Sequence, residues 1–257
     1  MPLIADLDLA RRFVEAHPPP GAVLHVGLVG AHAYGFPSED SDLDLKGMHI
    51  APTASLLGLS APPETHDVLT IWEGVEHDLT THEVGKALAL LLRGNGNVLE
   101  RLTSPLQLFE TDDLPTLRSL ALGSLSKRFF DHYRGYFGGM CREHAREPRA
   151  KSLLYAYRVA LTGVHLLRTG EVEMNVEVTA DAYGFDVSPL IALKRAGAEK
   201  GSLPEALDAE HRAAWPKLEE QLTRARDRSA LPDEPPNVDA IEAWLVERRQ
   251  AAFRTRA

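Results

Sequence analysis

Gly27-Leu-Val-Gly-Ala-His-Ala-Tyr-Gly-Phe-Pro-Ser-Glu-Asp-Ser-Asp-Leu-Asp-Leu-Lys-Gly47 joins an apolar run, through a polar loop, to two acids spaced two residues apart. On a strand, Asp42 and Asp44 would project from one face, side by side. Adjacent like charges repel, and a divalent cation between them relieves the repulsion. Hard oxygen ligands of this kind suit magnesium, which keeps waters and shares substrate phosphates. The same spacing also serves as an ordinary strand end with two solvated acids. Upstream, Val29-Gly30-Ala31-His32 leaves a strand and opens a turn. Its backbone N–H groups can cradle phosphate oxygens, with glycine allowing close approach, or simply form a tight strand-to-helix turn.

Outward from this stretch the chain reads as alternating elements. Pro18-Pro19-Pro20-Gly21 ends a short N-terminal helix, and Val23–Val29 is apolar and β-branched enough for a buried strand. Leu43, Leu45 and Met48–Ile50 predict a second strand. Val68–Trp72, the turn Glu73-Gly74 and Val75–Thr80 predict a hairpin. A helix is expected to begin at Thr80, where Thr80 and Glu83 have capping-box spacing ahead of Val84, Leu88, Leu91 and Leu92. Asp78, in the second hairpin strand, is a third carboxylate that an adjacent strand would bring to the same metals; it also fits as an acid favoured near a helix start. Three converging acids can hold two cations.

Beyond about residue 118 the periodicity is mostly helical, with Leu154, Tyr157, Leu161, Val164 and Leu167 as one stripe ended by Gly170. Further helices are expected over Pro204–Arg228, bent at Pro216, and over Val238–Phe253 after the breaker Pro232–Pro236. The fold class is therefore α+β, with a small mixed-sheet domain over 1–118 and a helical domain over 119–257. With 257 residues, one large or two small domains are expected. Hydrophobic residues at 44% and charged ones at 25% exclude a disordered chain. The longest apolar run, Ala87–Leu92, is far short of the roughly 18 residues of a membrane span. Asp6 and Asp8 stand where a signal peptide would be basic and then apolar. One cysteine, Cys141, allows neither an internal disulfide nor a thiolate cage, and the expected compartment is the cytoplasm, with no membrane partner.

A net charge of −9 argues against nonspecific coating of nucleic acid. Lys127–Lys151 nevertheless holds seven basic side chains against three acidic ones, leaving −13 for the remainder. Such asymmetry fits a surface for a phosphate-bearing ligand, or a solvated helical face.

These residues resemble the DNA polymerase β-like nucleotidyltransferase superfamily, whose signature is a hydrophobic residue and Gly-Gly/Ser, a spacer, Asp-x-Asp and a later third acid. More narrowly, Gly30-Ala31-His32-Ala33-Tyr34-Gly35 and Ser41-Asp42-Leu43-Asp44-Leu45-Lys46-Gly47 look like the bacterial and phage RNA repair pathway polymerase β subfamily. His77-Asp78, His82-Glu83, Lys86 and Gly94-Asn95-Gly96-Asn97-Val98-Leu99-Glu100 continue the likeness, which covers residues 22–105 and, more loosely, Lys151–Gly170. The resemblance implies a polymerase β-like palm sheet bearing Asp42 and Asp44 as ligands of two magnesium ions, with manganese able to substitute. Asp78 would bind the metal that activates the acceptor hydroxyl. The turn at Gly30, Ala31 and His32, with Ser41, would hold a nucleoside triphosphate. The implied reaction is in-line attack of a hydroxyl on the α-phosphorus, releasing pyrophosphate. RNA is the favoured acceptor, given the basic stretch.

The chain departs from the family in Ala31, where a serine hydroxyl is usual, in His82, where tyrosine is common, and in Gly96, which replaces a proline. Lys46 continues the spacing of Asp42 and Asp44, so it reaches either a phosphate or the aspartates themselves. Lys151, Arg158 and His165 recur every seven residues, with Tyr155 nearby, as a triphosphate or acceptor clamp or as a solvated face. Asn97 and Glu100 are expected to cap and fix a turn. Two other functions are compatible with parts of the sequence. One is a metal-dependent phosphohydrolase using His66-Asp67 and His77-Asp78 with His49 and His82. The other is a nonenzymatic nucleotide-binding regulator, in which Ala31 marks a decayed triphosphate site.

Overall fold

The computed structural model describes residues 5–196 and 203–254. In chain order these form α1 (Leu7–Ala16), β1 (Ala22–Leu28), α2 (Gly30–Tyr34), β2 (Leu43–Ile50), a 3-10 turn (Thr53–Leu56), β3 (Thr65–Trp72) and β4 (Val75–Glu83). Then come α3 (Val84–Leu92), α4 (Gly96–Thr103), β5 (Gln107–Glu110), α5 (Leu114–Gly123), α6 (Phe129–Arg146) and α7 (Ala150–Thr169). The chain continues through α8 (Val176–Tyr183), α9 (Ser188–Arg195), α10 (Glu205–Ala213), α11 (Trp215–Asp227) and α12 (Val238–Arg254). The α+β class follows directly. Among the described residues no helix is long and apolar enough to cross a membrane.

The chain divides into two compact units, and it crosses between them more than once. The sheet unit holds 5–30, 42–124 and 235–254; the helical unit holds 31–41, 125–196 and 203–234. This differs from a single boundary after residue 118: α12 belongs with the sheet. There Arg249 donates to both Glu83 carboxylate oxygens at 2.9 Å, Arg248 reaches Asp113 at 2.9 Å, and Asn237 Nδ2 donates to the Leu120 carbonyl at 2.8 Å.

The sheet has the order β3-β4-β2-β1-β5. Among the described residues β2 and β4 run parallel and the other neighbours antiparallel. Glu73 and Gly74, at φ +49° and +85°, make the hairpin turn between β3 and β4 with the left-handed backbone that such turns demand. One face is closed by α1, whose Ala10, Phe13 and Val14 form a core cluster with Val26, Leu28, Leu43, Leu45, Leu79 and Leu108.

Several sequence expectations are corrected here. Thr80 does not start a helix: β4 runs on to Glu83, and Thr80 is paired with Lys46 on one side and Asp67 on the other. Two ladders outweigh a local capping pattern. The cap of α3 is Glu83 itself, whose carboxylate accepts from Gly85 N–H at 2.7 Å. Likewise Asn95, not Asn97, caps α4, accepting from Val98 N–H at 3.3 Å. Asn97 is exposed inside that helix and Glu100 is buried. The helix expected over Pro204–Arg228 is two, broken at Ala214 because Pro216 opens α11.

In the helical unit, α7 is buried along nearly its whole length. A Cβ on Gly163 would stand 2.7 Å from Tyr133 of α6 and 2.9 Å from Leu222 of α11, so glycine permits this close packing. The buried His144 of α6 bonds Ser152 of α7 and Asp208 of α10, each at 2.7 Å.

Candidate active site

Asp44 and Asp78 are register partners across the parallel β2–β4 ladder. Register partners point to the same face, on strands roughly 4.8 Å apart. Burial alternates accordingly: Leu43, Leu45 and Leu79 are sealed under α1, whereas Asp42, Asp44, Lys46, Asp78 and Thr80 are partly open. Asp42 stands one residue before β2 and two before Asp44. Among the described residues, no group of three or more His, Cys, Asp or Glu side chains is gathered so as to hold a metal ion. The expected three-acid convergence is thus not seen as a gathered cluster among these residues: Asp44 and Asp78 are in register, and Asp42 precedes them just ahead of β2.

A cation already sits on Asp78. Lys46 Nζ lies 2.6 Å from Asp78 Oδ1, donates to the Asp78 carbonyl at 3.2 Å and to the Thr80 hydroxyl at 3.1 Å. Of the two roles open to Lys46 in the sequence, this geometry is the ion pair.

Gly30 has a structural requirement that the sequence does not reveal. At φ +64° its backbone is left-handed, and a Cβ there would fall 1.9 Å from Asp44 Oδ2. Val29 N–H donates to the Asp44 carbonyl at 2.9 Å, fixing the turn against β2. The Asp44 carboxylate thus rests on bare backbone, with α2 beginning at the same residue. Ala31 and His32 follow, both buried.

The remaining expected site residues lie in the helical unit. Ser41 is buried, and its hydroxyl accepts from Ser38 N–H at 3.0 Å and from Lys194 Nζ at 3.1 Å. Lys194, itself 1% exposed, also donates to Ser38 Oγ at 2.7 Å. Ser41 therefore fixes the loop ahead of Asp42. In this loop, a hydrogen bond from Ser38 holds the Asp40 carboxyl below its ordinary range. Arg158 is not displayed on a solvated stripe: it is 1% exposed, its guanidinium 4.0 Å from the Tyr34 ring centre and within 6 Å of those of Tyr136 and Tyr155. Lys151 is half-buried at the start of α7, and His165 bonds the Tyr183 hydroxyl at 3.0 Å.

The histidines of the phosphohydrolase alternative do not join Asp78. Neighbours in a strand face opposite ways, so His77 lies on the closed face, stacked 4.3 Å from Phe13. His49 is buried against Thr81 Oγ1 at 2.9 Å. Burial pushes His82 down to about 4, with Arg101 and Lys86 adding to the effect. Sequence reading missed Thr80 as a contact of Lys46, and Glu76, which precedes Asp78 by two on the same row. Period-two spacing around Asp78 was the available signal for both. Nothing local pointed to Lys194, whose serine partners are over 150 residues distant.

A mixed sheet with paired carboxylates beside a positive-φ glycine matches the class expected from the motifs, the polymerase β-like nucleotidyltransferases. Residues 6–247 match the RNA repair pathway DNA polymerase beta family, and the chain belongs to that family. It is 25% identical over 226 residues to an uncharacterized protein of Methanocaldococcus jannaschii, covering 86% of this chain and 91% of that one. Among solved structures, a nucleotidyltransferase-like protein from Exiguobacterium sibiricum is similar over 85% of this chain and 74% of its own, at 15% identity and a TM-score of 0.34.

Proposed function

We propose that this protein transfers a nucleoside monophosphate from a nucleoside triphosphate to a hydroxyl acceptor, an RNA end, releasing pyrophosphate. The observation carrying this reading is the Asp44–Asp78 pair on one open face, with Gly30 backbone against Asp44. The donor set is hard carboxylate oxygen, which fits magnesium, or manganese in its place, and Asp42, Asp44 and Asp78 would hold it. Such an ion, when bound, lowers the pKa of an attacking hydroxyl and neutralises charge on the transferring phosphoryl group.

The chain's own groups do the rest. Backbone N–H groups of the turn at Gly30, Ala31 and His32 hold triphosphate oxygens, without the hydroxyl that a serine at position 31 would add. Lys46 fixes Asp78 through its three contacts before substrates arrive. Because that ammonium competes for the same carboxylate, Lys46 also tunes how tightly a divalent cation is held. The test is incubation with each of four α-labelled nucleoside triphosphates, magnesium and mixed RNA. Label attached to RNA with pyrophosphate released is the expected result. Release of phosphate with no label on any acceptor would contradict it.

A further inference from the structure

A cavity of about 660 Å³ opens in the helical unit between α6 and the α10–α11 corner. It is lined by Arg134 and Arg142 of α6, Arg212 of α10 and Trp215 of α11, and by Gly135 and Gly138 of α6. Asp131 and Glu219 line it too, so the arginines leave a net positive charge. Arg134 is engaged with Glu219 at 3.5 Å, and Arg212 with Asp208 at 3.5 Å while lying 5.7 Å from the centre of the Trp215 ring. Arg142 differs: among the described residues it has no carboxylate partner. Its guanidinium lies 3.3 Å from where a Gly138 Cβ would be.

The glycines of the lining are as informative as its charged side chains. Glycine inside a helix is unfavourable relative to alanine, and it persists where something must come close. Gly163 has such a reason within the chain; Gly135 does not, since a Cβ there would meet nothing within 4 Å. Bare backbone, a planar indole and an unpartnered guanidinium in one cavity are the ingredients of a stacking platform for single-stranded nucleic acid. Arg134 and Arg142 stand two turns apart, about 12 Å along the helix, a spacing suited to successive phosphates rather than one. The surrounding Lys127–Lys151 segment continues the basic charge beyond the cavity.

We infer that this groove docks a single-stranded segment of RNA, one base against Trp215 and the backbone phosphates along Arg142 and Arg134. The inference rests on the reading of RNA as acceptor and locates a holding surface for it, separate from the carboxylate pair.

The test is fluorescence anisotropy of a labelled single-stranded oligoribonucleotide titrated with the full chain over a range of salt, for wild type, Arg142→Glu, Gly135→Leu and Asp44→Asn. Arg142→Glu is expected to weaken binding at least about tenfold and to flatten the log–log salt dependence by about 0.7. Gly135→Leu adds no charge and favours the helix, so it should weaken binding with an unchanged or raised melting temperature. Asp44→Asn should bind RNA as wild type does while losing nucleotidyl transfer. Wild-type affinity and salt slope in both groove variants would overturn the inference, whatever the transfer assay shows. So would full displacement of the strand by a mononucleotide. Groove-dependent RNA binding with no transfer to RNA would support the docking surface and count against the acceptor reading alone.

Discussion

On one face of β2 and β4, Leu43, Leu45, His77 and Leu79 disappear beneath α1; on the other, Asp42, Asp44, Lys46, Asp78 and Thr80 stay partly open to water. The same two strands supply both sets, one residue out of step. The closed face is bound by packing: Phe13, Leu45 and Leu79 are fully buried, and even its imidazole, His77, is stacked on Phe13. The open face places like charges on adjacent strands, a repulsion that by itself lowers stability and that Lys46 offsets at Asp78. What a strand pair gives up in stability on one side it regains on the other.

Exchanging a residue on each face separates these roles most sharply. Asp44→Asn should lower nucleotidyl transfer by roughly 10³-fold with the fold intact, as removal of a group that stabilises developing charge does. Phe13→Ala should instead cost about 3–5 kcal/mol of stability, read in urea melts, with activity following only the folded fraction. A Phe13 variant of full stability, or an Asp44 variant that unfolds, would break the comparison.

Gly30→Ala probes the seam between backbone and carboxylate. The new Cβ would overlap Asp44 Oδ2, so the carboxylate must move, and a loss in turnover on the order of 10²-fold is expected. The strained left-handed backbone adds about 1 kcal/mol of destabilisation. A smaller effect comes from His25 on β1, fully buried and bonded to Gln107 Oε1 at 3.3 Å. Burial, above all, pushes its pKa down to about 4 from 6.5, against the opposing contact with Gln107. Well above pH 6.5 both folded and unfolded chains carry it neutral and its contribution is complete. As pH falls toward 4 only the unfolded chain takes up the proton, so stability drops by about 2–3 kcal/mol. His25→Gln should flatten this part of the pH–stability curve; an unchanged slope would show that other groups set it.

Legibility in the sequence followed the range of the interactions. Period-two alternation put Asp42, Asp44 and Lys46 in one row, and the positive-φ turn at Glu73-Gly74 was readable because its chemistry is local. Strand adjacency made Asp78 a third candidate and family likeness gave it a role, but its register with Asp44 comes from a parallel pairing across more than thirty residues, which no local pattern fixes. The same distance effect explains the failures. Thr80 and Glu83 satisfy a capping pattern, but β4 is held by partners on both sides. Arg158 repeats at a surface-like spacing, but three tyrosines enclose it. The return of α12 to the sheet depends on Arg248 and Arg249 finding Asp113 and Glu83, which no local pattern announces.

The account depends above all on Asp44 and Asp78 sharing one cation. A crystal of the protein soaked with manganese and a non-hydrolysable nucleoside triphosphate reports this through the metal's anomalous signal. The account predicts a peak about 2.1 Å from a carboxylate oxygen of each residue, with the Lys46 ammonium displaced from Asp78. A manganese ion bound elsewhere, or held by Asp44 while Asp78 remains on Lys46, would contradict it.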